Sequence, residues 1–165
     1  MSKLKILDTV AGAGGFSLGF EMAGCEIIGA IETDAWATET FSFNHPEAIV
    51  IKSNIEDLTD DEILSKFEDL QVDIILGGPP CQGFSVCNKN NSDPKDPRNS
   101  LFEEFVRLGR ILNPKLMVME NVPNLAKAKT ENKDLVLDII KNELEKLGYF
   151  VYSDILEAIN YGVPQ

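Results

Sequence analysis

The chain has 165 residues, 44% of them apolar and 25% charged, which suits one folded domain and excludes a disordered segment. Acidic residues outnumber basic ones 27 to 15, a net charge of −12, which argues against a chain that grips nucleic-acid phosphates by itself. No apolar run nears the ~20 residues of a membrane span, the N-terminus lacks a signal-peptide pattern, and Cys25, Cys81 and Cys87 form no CxxC pair, so the expected setting is a reducing cytoplasm without disulfide framework or zinc site.

Residues 4–7 read as a first strand, followed by Asp8 and a glycine-rich turn. Residues 16–23 fit a short helix ended by Gly24, 26–31 a second strand, and 34–44 a helix with Asp34 as N-cap. His45, before Pro46, reads as a helix end and not as a ligand. Residues 48–51 form a short third strand, 60–67 a helix with Thr59 as cap, and 72–76 a fourth, buried strand. Residues 84–99 are polar and irregular, a stretch long enough to suggest a functional loop or lid. Ser100 caps a helix over 101–112, whose Leu101, Phe105, Leu108 and Leu112 recur at helical spacing. A fifth strand follows at 116–119, then an amphipathic helix at 134–147 closed by Gly148, and a further strand at 149–156. Strands alternating with helices predict an α/β fold with a mostly parallel, Rossmann-like sheet covered on both faces.

Two places carry chemistry. The first is the turn Asp8-Thr9-Val10-Ala11-Gly12-Ala13-Gly14-Gly15 between the first strand and first helix. Such a turn cradles a nucleotide-type cofactor, with backbone N–H groups at the helix start turned to an anion. A dinucleotide fingerprint would want a third glycine where Ser17 stands. Glu32 ends the second strand, 20 residues after Gly12, where a carboxylate can accept from ribose hydroxyls. Both NAD proteins and S-adenosylmethionine proteins use that device.

The second place is Gly77-Gly78-Pro79-Pro80-Cys81-Gln82-Gly83-Phe84-Ser85, at the end of the fourth strand. Its glycines permit close approach of a substrate and its prolines stiffen the loop around a candidate nucleophile. The fifth strand ends in Glu120-Asn121-Val122-Pro123, so an acid stands at the carboxyl end of a neighbouring strand.

Taken in order, these segments resemble the cytosine-C5 DNA methyltransferases of the bacterial modification type. Residues 8–24 are similar to the family's first motif, including the closing Phe20-Glu21-Met22-Ala23-Gly24. The resemblance implies S-adenosylmethionine as cofactor, held by Asp8, Ala11, Gly12, Gly14, Gly15, Glu32, Asn54 and Pro79. It implies Cys81 as the nucleophile that adds to C6 of cytosine, Glu120 as the group at N3, and Asn121 as the residue holding the Pro80-Cys81 loop. Ser85 and Arg98 would meet the flipped base or a phosphate. Two departures bear on cofactor affinity: Val10 stands where the family usually has Phe, and Asn54 where it often has Asp.

The resemblance further implies double-stranded DNA as partner, contacted mostly outside these residues. Residues 1–165 then form the front part of the catalytic domain, without its target-recognition region. Gly162-Val163-Pro164-Gln165 looks like the start of another family motif. A split enzyme completed by a second polypeptide, a truncated chain and a degenerate remnant all fit, and the lone chain is expected to be inactive. An RNA cytosine-C5 methyltransferase and a non-catalytic nucleotide-binding module remain as alternatives.

Overall fold

The computed structural model describes residues 2–79, 101–129 and 133–164. Its elements are β1 (Lys5–Thr9), α1 (Gly15–Met22), β2 (Glu26–Glu32), α2 (Ala35–Asn44), β3 (Ile49–Lys52), α3 (Asp60–Phe67), β4 (Ile74–Gly77), α4 (Leu101–Leu112), β5 (Leu116–Met119) and α5 (Val136–Lys146). The five strands pair in parallel, in the order β3-β2-β1-β4-β5. This is the Rossmann-like sheet expected from the alternation of strands and helices.

The period-two geometry of a strand sorts the apolar residues onto two faces. Ile6, Ala30, Ile74 and Leu76 meet Phe16, Phe20 and Phe41 from α1 and α2 on one face. Leu7, Ile31 and Ile75 meet Ile63, Phe67, Phe105 and Leu108 from α3 and α4 on the other. Parallel strands are normally buried in this way, because their crossovers leave helices on both sides. α5 adds Val136, Ile140 and Leu144 to a third cluster with Val106 of α4 and Met117 and Met119 of β5.

The helix ends follow their sequence signals. Asp34 Oδ1 accepts from Ala37 N at 2.8 Å. Thr59 and Glu62 cap one another, with Thr59 N donating to Glu62 Oε2 (2.8 Å) and Glu62 N to Thr59 Oγ1 (3.3 Å). Gly24 and Gly148 take φ of +93° and +94° just past α1 and α5, and the next residues, Cys25 and Tyr149, donate back to Phe20 O and Leu144 O.

Most element ends differ from expectation by one or two residues, and three differences bear on the packing. β4 begins at Ile74 instead of Val72, although Asp73 N already donates to Lys5 O (2.9 Å). Its carboxylate accepts from Lys5 N (2.9 Å) and pairs with Lys115 Nζ (2.6 Å), tying together the amino ends of β1, β4 and β5. The Lys115 hydrogen bond, then that from Lys5, holds the Asp73 carboxyl below its ordinary range. α5 starts at Val136, two residues late, since Leu135 forms an antiparallel bridge with Lys129. Residues 149–156 form no strand. Their alternation is real: Tyr149 and Val151 pack on the third cluster, while Phe150 is 98% and Tyr152 79% exposed. A strand also needs a ladder partner, and none pairs with this segment among the described residues. The cap expected at Ser100 and the loop expected at 84–99 lie outside the described residues.

Candidate functional site

From β1 the sheet runs one way to β2 and β3 and the other way to β4 and β5, so the order reverses between β1 and β4. The crevice at the carboxyl ends of those two strands is where open α/β sheets bind ligands. β1 delivers Asp8 and Thr9 there, β2 delivers Glu32, β4 leads into Gly78 and Pro79, and β5 leads into Glu120 and Asn121.

The glycine loop is shaped by unusual backbone angles. Val10, Gly12 and Gly14 have φ of +60°, +56° and +91°. Positive φ is routine for glycine, but costs a β-branched residue such as Val10 on the order of 1–3 kcal/mol. The N–H groups of Val10 and Ala11 both reach Ile31 O, at 2.9 and 3.2 Å, which fastens the strained turn to β2. Gly14 caps the start of α1, and Gly15 begins it.

Glu32 is 8% exposed and holds this loop in place. Its Oε2 accepts from Gly12 N (2.7 Å), and its Oε1 from Thr33 N and Asp34 N (2.8 Å each). A carboxylate has about four acceptor sites. Three are taken, so one ribose hydroxyl fits without rearrangement, and a second requires a backbone N–H to yield or be shared. Val10, Glu32, Asn54, Ile55 and Leu101 line one open cleft beside this carboxylate. Asn54 Nδ2 donates to Glu56 Oε2 (3.1 Å), and its carbonyl oxygen is an acceptor. Arg107 of α4 fixes this stretch by donating to Ile55 O (3.0 Å) while paired with Asp60 (2.6 Å). Ile55 and Leu101 as cleft walls were not legible in the sequence, since only the fold brings residues from two distant segments together.

Asp8 turns inward. It is 1% exposed, and Ser17 Oγ donates to its Oδ2 at 2.6 Å. Burial pushes the Asp8 carboxyl up to about 6, against the opposing hydrogen bonds of Ser17. Asp8 therefore acts on the loop from within, through Ser17. That serine, read from sequence only as a missing glycine, is the residue that binds Asp8 to α1.

A stability consequence follows with a definite sign. An unfolded aspartate ionises near 3.8 and folded Asp8 near 6, so between those values the folded chain holds the extra proton. Its contribution is most favourable below pH 3.8, falls as pH rises to 6, and settles at a penalty of about 3 kcal/mol. Asp8→Asn is expected to be more stable than wild type at pH 8, by roughly 1–3 kcal/mol, with the advantage vanishing toward pH 4. Urea unfolding of both proteins at pH 4, 5, 6 and 8 measures this, and a difference constant across pH refutes it.

At the other end of the crevice, Glu120 N donates to Gly77 O at 2.9 Å. Gly78 faces the acid so closely that an added Cβ would sit 3.5 Å from Glu120 Oε2. Asn121 Nδ2 donates to Pro79 O at 2.8 Å, and its Oδ1 accepts from Val122 N at 2.9 Å. The buried Pro79 is thus held from the residues that follow β5. Glu120 itself is exposed. Pro80, Cys81, Ser85 and Arg98 lie outside the described residues.

The family of C-5 cytosine-specific DNA methylases matches residues 4–165. The chain belongs to that family. Among its curated relatives, the Type II methyltransferase M.DdeI of Desulfomicrobium norvegicum is 49% identical over 98% of this chain and 38% of its own length. M1.HphI of Haemophilus parahaemolyticus is 40% identical over 98% of this chain and 43% of its own length. M.AquIA of Picosynechococcus sp. is 34% identical over 98% of this chain and 67% of its own length. The chain thus spans less than half of the first two relatives. Among solved structures, a DNA modification methyltransferase encoded within an E. coli prophage superimposes with a TM-score of 0.72 at 32% identity, covering 87% of this chain and 38% of that one. DNMT2 of Spodoptera frugiperda gives 0.64 at 29% identity, covering 88% and 41%. No helix among the described residues is long and apolar enough to cross a membrane.

Proposed function

We propose that this chain carries the cofactor loop and the nucleophile of an enzyme that methylates C5 of cytosine in DNA. The observation that supports this best is the junction of Glu120 and Asn121 with Gly77, Gly78 and Pro79, directly before Pro80-Cys81. It joins the two family motifs that divide the chemistry.

Cytosine C5 is a poor nucleophile. In this reading the Cys81 thiolate adds to C6, and the Glu120 carboxyl protonates N3, leaving an enamine whose C5 is electron-rich. S-adenosylmethionine, when bound, supplies an electrophilic methyl group. When C5 takes the methyl, S-adenosylhomocysteine is the leaving group; the C5 proton then passes to a base, the C6–S bond breaks so that Cys81 returns as thiolate, and N3 returns its proton to Glu120. The residues present fit that cofactor: Glu32 for a ribose hydroxyl, the Asn54 carbonyl for an adenine amino group, apolar walls at Val10, Ile55 and Leu101, and the Gly12–Gly15 turn for the charged end. Asn121 keeps the Pro79 carbonyl fixed, and Ser85 and Arg98 hold the base or its phosphate. The base must leave the duplex for both faces to be engaged.

The chain is acidic overall, yet Lys127, Lys129 and Lys133 stand exposed shortly after the β5 motif. The catalytic unit includes more than these residues, from a longer chain or a second polypeptide. Phe150, Tyr152, Leu156, Ile159 and Tyr161 support this, at 98%, 79%, 70%, 66% and 67% exposed, a density of bare apolar surface that ordinarily marks an interface. The 165-residue chain alone is expected to bind a hydrophobic dye strongly and to associate, and to transfer no methyl groups. A monodisperse, dye-silent chain contradicts this.

The deciding experiment supplies labelled S-adenosylmethionine to the protein as its host makes it, with duplex DNA and tRNA as separate substrates. Label in DNA, base-stable and located at C5 of cytosine, is expected. Label in tRNA alone moves the enzyme to RNA, and tighter binding of NAD with no transfer makes it a nucleotide-binding module.

A further inference from the structure

Among the described residues, three buried side-chain polar atoms have no hydrogen bond: Asp8 Oδ1 and both ring nitrogens of His45. All three lie around the glycine loop. Buried polar atoms left unpaired are costly, and such atoms in one place call for an explanation.

His45 follows α2 and is 5% exposed. Its backbone N–H reaches Phe41 O (2.8 Å) and its carbonyl accepts from Ala48 N (3.1 Å), so the residue is fixed at both ends. Its ring lies against that of Phe41, with centroids 4.7 Å apart. Together the two rings form the floor of the loop: a Cβ at Gly14 would come within 2.9 Å of Phe41 Cδ2 and 3.2 Å of His45 Nε2. The opposite ring nitrogen, Nδ1, is 3.5 Å from Glu21 Oε2 on α1. Its charged neighbour is Glu21 on α1, and it acts on Asp8 of β1 in the sense opposite to Glu32 of β2.

We propose that His45 is a positioning residue for the cofactor loop, its ring seating Gly14 while its Nδ1 faces Glu21 of α1, which ties α2 to α1 and so fixes the turn that receives the cofactor. The approach of Nδ1 to Glu21 adds a polar tie to the packing of α2 against Gly14. The inference rests on the reading of residues 8–15 as the cofactor loop.

The test uses the full protein and two variants. His45→Phe retains a ring on Phe41 and removes both nitrogens; His45→Gln retains a donor and an acceptor. His45→Phe is expected to raise the KM for S-adenosylmethionine about 10-fold with kcat nearly unchanged, and His45→Gln to recover part of that loss. A wild-type KM in His45→Phe overturns the proposal. If that variant does not fold, His45→Gln decides, and a wild-type KM in it overturns the proposal. Hydrogen exchange without ligand provides an arm independent of the enzymatic reading. Amides of residues 12–17 must exchange about 10-fold faster in the variant than in wild type, and equal rates overturn the proposal. Wild-type protein with no affinity for S-adenosylmethionine refutes the proposed function instead, and the exchange arm still judges the tie.

Discussion

Cys81→Ser is expected to lower methyl transfer by roughly 10³-fold or more while leaving cofactor affinity within about twofold. A serine hydroxyl ionises far above the thiol and adds poorly to C6, so the enamine never forms. The change is nearly isosteric, and the described lining of the Val10–Glu32–Asn54 cleft comes from other segments. Rate and affinity should therefore separate. Single-turnover methyl transfer and cofactor binding by calorimetry, on the same preparations, measure both. A variant that still transfers at a tenth of the wild-type rate removes covalent catalysis from the account.

Glu32→Gln is the second large effect, and it falls on binding. Glu32 receives three backbone N–H groups at 2.7–2.8 Å, from Gly12, Thr33 and Asp34. A glutamine presents an NH₂ to one of those pairs, so donors face donors and the remaining contacts lose their charge assistance. Losing about 2–3 kcal/mol there predicts a 30- to 200-fold weaker hold on S-adenosylmethionine. The fold should also lose about 1 kcal/mol or more, because the same carboxylate fastens the loop after β1 to the end of β2. Glu32→Asp keeps the charge but not the reach, and should fall between the two. Calorimetric titration with S-adenosylhomocysteine and thermal unfolding check both parts. Unchanged affinity with lost stability would leave Glu32 a structural residue only.

The sheet was legible because each strand carries its own evidence. Ile6 and Leu7, or Ile74, Ile75 and Leu76, are bounded by turn residues and need no distant partner to be read. The helix ends were legible for the same reason, since Asp34, Thr59, Gly24 and Gly148 act within a few residues of where they stand. Residues 149–156 show the limit: their alternation is local, but a strand is a relation between two segments, and the second is not among the described residues.

The site divides along the same line. Glu32, Asn54, Glu120 and Asn121 could be singled out in the sequence because strand ends and family motifs mark them. The three N–H groups on Glu32 were not foreseen, as they depend on how the Gly12 turn and the Thr33-Asp34 corner fold back on one carboxylate. Asp8 was placed at the cofactor by motif, whereas its carboxyl is buried on Ser17. His45 was read correctly as a helix end, but the seat its ring gives Gly14 arises only when α2 packs across the start of α1. Such contacts leave no periodic trace in a single chain.

The central claim is that Cys81 becomes bonded to a cytosine. Replacing hydrogen by fluorine at C5 blocks the last step, because fluorine cannot leave as the proton does, and the adduct persists. The full protein should therefore be incubated with S-adenosylmethionine and a pool of duplexes carrying 5-fluorocytosine, then measured by intact mass spectrometry and peptide mapping. The account predicts a species of protein plus methylated DNA strand, linked through Cys81. A link at another residue, or methylated product formed from unmodified duplex with no trapped species from the fluorinated one, would contradict it.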